Sequence, residues 1–295
     1  MSQGESPTAL QEVCRPDTWA LSVVGMLQQP QRGGFDAVCI RPRHQGAPLA
    51  MRDEGRQKHR SRVLCVVPAY NESDNIAAVI QDVRTHVPGA EVLVIDDGSA
   101  DETADVASET GALVCRLPFN LGIGGAVQTG LKFAARHGYD IAVQVDGDGQ
   151  HDAAEIGKLL QPILDGEADV VIGSRFLGKP TYRAPLLRRL GMRLFELLNW
   201  LLAGQHIRDN TSGFRAYNKR AISFLADSYP THYPEPEAVV MLRRAGFRLK
   251  EVHTRMRQRQ RGQSSIAPAK AVYYMVRVPL GIFVTALRTV GMSRR

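Results

Sequence analysis

From Arg62 onward the chain alternates continuous apolar runs with amphipathic stretches. Val63-Leu64-Cys65-Val66-Val67 is apolar throughout and stops at Pro68; Val92-Leu93-Val94-Ile95, a shorter Leu113-Val114-Cys115, Ile141 to Val145 and Val170-Val171-Ile172 repeat the form. Runs without polar alternation predict strands buried on both faces. Between the first two, Ile76, Val79, Ile80 and Val83 recur at helical spacing, with Asn71 to Asn75 offering caps and Pro88-Gly89 a stop. Asp101-Glu102 opens a second helix with acids where the helix dipole favours them, and a third is predicted from Ala126 to His137, after the glycine-rich Asn120 to Gly125. Strands of this kind alternating with helices predict an α/β fold, a mostly parallel sheet with helices on both faces.

Ligands of such sheets bind beyond the carboxyl ends of the strands. Three successive strands end in polar clusters, Pro68-Ala69-Tyr70-Asn71-Glu72, Asp96-Asp97-Gly98-Ser99 and Asp146-Gly147-Asp148-Gly149-Gln150-His151-Asp152, so all three are expected to face one crevice. Two carboxylates at i and i+2 past a strand end can share one hard cation, with a substrate diphosphate supplying further oxygens. The same residues also fit a solvated Asp-Gly turn. A further buried strand, ending at Ser174-Arg175, would bring an arginine to the crevice.

Composition changes the picture in two places. Four cysteines without C-x-x-C spacing, two of them (Cys65 and Cys115) inside apolar runs, suggest buried thiols in a reducing compartment. The net charge of +7 is unevenly spread: Arg243 to Arg295 holds 13 Lys/Arg against Glu251 alone, leaving −5 for the rest. A basic tail on an acidic body points to an anionic partner. The tail lacks interleaved aromatics and the chain shows no helix-turn-helix, zinc or RNA-recognition pattern, which argues against nucleic acid beyond a donor nucleotide. The longest charge-free run, Leu117 to Leu131, is 15 residues and broken by glycines, so no spanning helix is expected. With no leader pattern at the start, the cytoplasm is the expected compartment. Residues 1–61 carry little period apart from a short amphipathic stretch at Thr18 to Gln31, and read as a poorly ordered extension; Met51 would serve as an alternative start.

Taken together, Val67-Pro68-Ala69-Tyr70-Asn71-Glu72, Asp96-Asp97-Gly98-Ser99-x-Asp101, Asn120-x-Gly122-x-Gly124-Gly125 and Asp146-Gly147-Asp148-Gly149-Gln150-His151 resemble, in that order, glycosyltransferase family 2. The resemblance is to its dolichol-phosphate mannosyltransferase-like, polyprenyl-phosphate branch and runs from about Arg62 to about Ile266. It implies the GT-A fold, a Rossmann-like sheet, with residues 62–250 as catalytic domain and 251–295 as a basic loop and amphipathic helix. By position it implies that Pro68, Tyr70, Glu72, Asp96 or Asp97, Gly124 and Asp146 hold the nucleotide-sugar. Asp146, Asp148 and Gln150 would ligate Mg²⁺ or Mn²⁺, Asp148 the most directly, while His151 reads as a helix-start residue.

Further along, Arg175 matches a phosphate-contacting position, and its fork of donors suits that task. Asp209-Asn210-Thr211-Ser212-Gly213-Phe214-Arg215 matches a segment beneath the acceptor site, although Asp209 and Arg215 also fit a structural pair. Arg259, Gly262 and Ser264 are in register with an R-x-x-G-x-S stretch that would meet phosphates. Leu186 to Leu202, with Arg188, Arg189 and Arg193, reads either as a helix along the acceptor side or membrane, or as a core helix. Val272, Val276, Leu280, Phe283, Leu287 and Val290 form a stripe that would lie on an anionic bilayer or pack on protein.

Tyr233-Pro234-Glu235-Pro236-Glu237 departs from the patterns of processive relatives, and no Q-x-x-R-W follows, which argues against polymer synthesis. A base at Glu235 or Glu237, with Glu237 preferred, would be needed for a hydroxyl acceptor. A lipid phosphate is already ionised near neutral pH and needs none. The expected activity is therefore inverting, metal-dependent transfer of a sugar to a polyprenyl phosphate at the cytoplasmic membrane face, catalysed through Asp148 and Arg175. The alternative is transfer to a hydroxyl of a glycan or small molecule in cell-envelope polysaccharide synthesis. The absence of a spanning segment leaves room for a small integral membrane protein as a further partner.

Overall fold

The computed structural model describes residues 39–40, 61–177, 204, 207–230 and 234–257. Eight strands form one mixed sheet: β1 (Cys39–Ile40), β2 (Val63–Ala69), β3 (Glu91–Asp96), β4 (Leu113–Arg116), β5 (Ile141–Gln144), β6 (Val170–Ser174), β7 (Arg215–Asn218) and β8 (Leu249–His253). Their spatial order is β1-β4-β3-β2-β5-β7-β6-β8. The pairs β4–β3, β3–β2, β2–β5 and β6–β8 are parallel. β7 runs antiparallel between β5 and β6, and β1 closes the edge antiparallel to β4. The strand ending at Arg175 is therefore not the neighbour of β5. β7 intervenes, and its start at Arg215 falls opposite Gln144 on one side and Ile172 on the other. β8 runs across residue 250, where the motif reading ended the catalytic domain.

Helices α1 (Ser73–His86), α2 (Thr103–Glu109), α3 (Gly122–Arg136), α4 (Ile156–Leu164), α5 (Lys219–Ser228) and α6 (Pro234–Arg244) connect the strands. Successive residues of a strand point to opposite faces, so β2 feeds two cores at once. Leu64 and Val66 join Val127, Leu131, Ile222 and Leu225 of α3 and α5. Cys65 and Val67 join Ile76 and Ile80 of α1 with Ile156 and Leu159 of α4. Gly130 lets α3 lie against β2, since a Cβ there would stand 2.2 Å from Val66 Cγ1.

α3 begins four residues earlier than expected. The glycine-rich stretch before Ala126 supplies its first turn, with Gly122 at φ +77° making the entry. Pro234-Glu235-Pro236-Glu237 likewise forms the first turn of α6. Prolines are tolerated there because first-turn N–H groups have no intrahelical partner. Cys65 is buried, which pushes its thiol up to about 12, whereas Cys115 is half-buried. No described helix is long and apolar enough to cross a membrane. The stretches expected at Thr18 to Gln31, Leu186 to Leu202 and beyond Arg257 lie outside the described residues, and with them Arg189, Arg259 and Ser264.

Candidate active site

The carboxyl ends of β2, β3, β4, β5, β6 and β8 share one edge of the sheet with the start of β7. At the middle of that edge the end of β2 ties two acidic turns together. Ala69 O accepts the Asp97 N–H (2.9 Å) on one side, and Pro68 O accepts the Gly147 N–H (3.2 Å) on the other. Gly147 has no room for a side chain, since a Cβ would stand 3.1 Å from both Ala69 Cβ and Pro68 O. The three polar clusters expected in one crevice thus meet there. Pro68 contributes through its main-chain carbonyl, being itself buried.

On the β3 side, Gly98 is at φ +71° with the Phe119 carbonyl carbon and Asn120 N within 3 Å of any added Cβ, so the exits of β3 and β4 abut. Asp97 Oδ1 accepts the Leu121 N–H (2.7 Å). Burial raises the Asp97 carboxyl above its ordinary range, with the N–H groups of Leu121 and Gly122 opposing. Asp96 is fully buried; Oδ1 accepts the Ser99 N–H (3.1 Å), and Oδ2 lies 3.3 Å from Arg116 Nε without a hydrogen bond. Gly124 is buried in the first turn of α3. Tyr70 is exposed at 47%. Glu72, expected on the nucleotide, is buried at the start of α1 and accepts from Asn75 Nδ2 (2.7 Å).

Around the D-x-D turn the donors are hard oxygens. Asp146 and Asp148 are both half-buried, and Gln150 N–H donates to Asp148 Oδ1 (3.0 Å). Gly213 holds space beside Asp146: a Cβ there would lie 3.1 and 3.2 Å from the two carboxylate oxygens and 2.9 Å from Gln144 Nε2. Among the described residues no three His, Cys, Asp or Glu side chains converge as a metal cage. A pair of half-buried carboxylates in one turn fits Mg²⁺ or Mn²⁺, which would take its remaining oxygens from a diphosphate and water.

Two residues here carry roles that the motif did not disclose. His151, read as a helix-start residue, is buried, stacks on Phe214 (4.7 Å between centroids) and turns both ring nitrogens to Asp146. Gln144 is buried behind the same carboxylate, with Nε2 3.5 Å from Asp146 Oδ1. The alternation of β5 gives no hint of either, because an apolar strand ending in Gln reads simply as a strand end.

On the β6 side, Arg175 grips Asp209 in a two-pronged pair: Nε to Oδ2 and Nη2 to Oδ1, both 2.8 Å, with the Arg175 N–H also on Oδ2 (3.0 Å). Hydrogen bonding to Asp209 raises the guanidinium pKa further, and Asp146 adds to this electrostatically, so Arg175 sits within the field of the D-x-D turn. Asp209 therefore pairs with Arg175, not with Arg215. Arg215, expected at the acceptor phosphate, is fully buried and donates to Ser212 O (2.7 Å) and Asn210 O (2.8 Å), holding the loop from beneath. Glu251 fixes the same loop from β8, accepting the Arg208 and Asp209 N–H groups (2.9 and 2.8 Å).

Of the two glutamates offered as base, Glu237 is buried at 7% on α6. Glu235 is the one whose carboxyl senses both Arg215 and Asp146; burial raises its pKa, Arg215 opposes and Asp146 adds.

A Rossmann-like sheet with acidic turns, among them a D-x-D, gathered at its carboxyl edge is the architecture of a nucleotide-sugar glycosyltransferase of the GT-A type. The chain belongs to glycosyl transferase family 2, whose profile matches residues 64–225. It is 31% identical over 215 residues to undecaprenyl-phosphate mannosyltransferase of Micrococcus luteus, covering 70% of this chain and 88% of the relative. It is 30% identical over 210 residues to UDP-N-acetylglucosamine–dolichyl-phosphate N-acetylglucosaminyltransferase of Methanococcus voltae, covering 64% and 83%. Its fold is similar to that of glucosyl-3-phosphoglycerate synthase from Mycobacterium tuberculosis, solved with Mn²⁺, UDP and phosphoglyceric acid. That match has a TM-score of 0.56 at 22% identity and covers 78% and 79% of the two chains.

Proposed function

We propose that this glycosyltransferase moves a sugar, with inversion, from a nucleotide-sugar to a polyprenyl phosphate, working at an anionic membrane surface on the cytoplasmic side. The observation that carries the reading is the charge of the acceptor half of the crevice. Arg175 is exposed at the carboxyl end of β6, while Asp209 and Glu237 are buried and Glu235 is half-buried with its carboxyl under the influence of Arg215. A hydroxyl acceptor needs an accessible base. A phosphate monoester arrives as an anion and needs cations instead. The names of the bacterial and archaeal relatives, which act on undecaprenyl and dolichyl phosphates, support the same acceptor class.

In this reading Asp97, or Asp96 behind it, accepts an imide or N1 hydrogen of the base, and Tyr70 lends an exposed ring beside it. Asp146 and Asp148 hold Mg²⁺ or Mn²⁺, which supplies positive charge against the departing diphosphate. Arg175 has Nε and Nη2 fixed by Asp209 and offers the Nη1 side to the acceptor phosphate.

The test is a transfer assay with UDP- and GDP-sugars, a short-chain polyprenyl phosphate and soluble hydroxyl acceptors, with Mn²⁺ or with EDTA. A lipid-linked product that requires the metal is expected. Product on soluble acceptors alone would overturn the acceptor assignment.

A further inference from the structure

The return after β8 reaches the D-x-D turn from behind the motif. Met256 bridges His151 in antiparallel register, and the Arg257 N–H donates to Gln150 O (2.8 Å). The Arg257 side chain then forks. Nη1 meets Asp82 Oδ2 (2.8 Å) on α1, and Nη2 meets Asp152 Oδ1 (2.6 Å) just after the turn. Asp82 Oδ2 also accepts the Ala153 N–H (3.3 Å), and Asp152 Oδ1 the Ala154 N–H (3.2 Å). Segments 175 and 105 residues distant in sequence are thus stapled to the residues following the two aspartates.

We propose that Arg257 is a positioning residue for the metal-binding carboxylates, a role that rests on the metal-dependent reading above. The constraint passes through Gln150: its carbonyl is held by the Arg257 main chain, and its N–H orients Asp148 Oδ1. Only a planar fork reaches both carboxylates at once; a lysine ammonium reaches one. The Arg257 side chain is 39% exposed, so its ion pairs add little to global stability. What they supply is a further fixed point for a loop that Gly147 and His151 also hold.

The experiment is a Mn²⁺ titration of the full chain followed by the EPR signal of free Mn²⁺, with excess UDP and separately with excess GDP. Arg257→Ala is expected to weaken Mn²⁺ binding by about 10-fold, the usual range for a lost outer partner of a metal ligand, and Asp82→Ala, which leaves the Asp152 arm, by less. The double variant should lose little more than Arg257→Ala alone, because both cut the same staple. Arg257→Lys, keeping one arm, should fall between. The melting temperature without metal should barely move. Wild-type affinity in both single alanine variants, or losses that simply add in the double, would overturn the proposal. If the wild type binds no Mn²⁺ with either nucleotide, the metal-dependent reading itself falls.

Discussion

His151 and Asp146 are joined twice. The Asp146 N–H donates to His151 Nδ1 (3.0 Å), and His151 Nε2 stands 3.5 Å from Asp146 Oδ2. An N–H donor on Nδ1 requires a lone pair there, so the neutral ring carries its hydrogen on Nε2, facing the carboxylate. Stacking on Phe214 keeps the ring from turning. His151→Ala should therefore weaken Mn²⁺ binding by about 10- to 100-fold while the fold persists. A metal titration paired with circular dichroism checks both halves of that expectation.

Gly213 predicts a separation of function from stability. In Gly213→Ala the new Cβ presses on both Asp146 oxygens and on Gln144 Nε2. Overpacking of this kind costs about 1–3 kcal/mol, and the movement should fall on the carboxylate, so kcat/KM should drop more than stability accounts for. Gly157→Ala is the control: it lies in α4 with nothing within 4 Å of an added Cβ, and should gain up to about 1 kcal/mol.

Breaking the Arg175–Asp209 pair should cost both stability and acceptor binding. Asp209 is fully buried and accepts three bonds from Arg175, including one from its main chain. Because Arg175 is 40% exposed, the loss is discounted from the fully buried case, and Asp209→Asn should destabilise by about 2 kcal/mol. Denaturant unfolding measures that. The kinetic signature is a raised acceptor KM with nearly unchanged KM for the nucleotide-sugar, since Arg175 loses its orientation while the β2–β3 side is untouched.

Acid sensitivity should trace in part to Asp169. Burial opposes its ionisation, but hydrogen bonds from Arg248 and Asn218 outweigh it and hold its pKa below the usual carboxylate range. A depressed folded pKa contributes stability that is present above the unfolded value, about 3.9, and is lost as pH falls through the folded one. Asp169→Asn should thus lower the melting temperature at neutral pH, with the gap to wild type closing below about pH 4. Melting curves across pH read this directly. Glu235 and Asp97 carry the opposite sign: their raised carboxyls favour the folded state most in acid and lose that contribution as pH rises through their folded values.

The sequence by itself determined the parallel part of the sheet, the crevice and its acidic turns. Unbroken apolar runs such as Val63 to Val67 can only be buried on both faces, and Gly-Asp turns at their ends are local chemistry. Those features depend on neighbours a few residues away, so they are legible along the chain. Only the tertiary structure decided that β7 slips antiparallel between β5 and β6, because its residues Arg215 to Asn218 carry no strand-like alternation and are fixed by partners far along the chain. The same holds for who pairs with whom. Asp209 chose Arg175 over Arg215, and Arg215 sank beneath the loop. His151 turned back onto Asp146, and Arg257 crossed 175 residues to reach Asp82. Charged and polar side chains are matched through space by packing, and a residue pattern that repeats every two or four positions holds no record of that match.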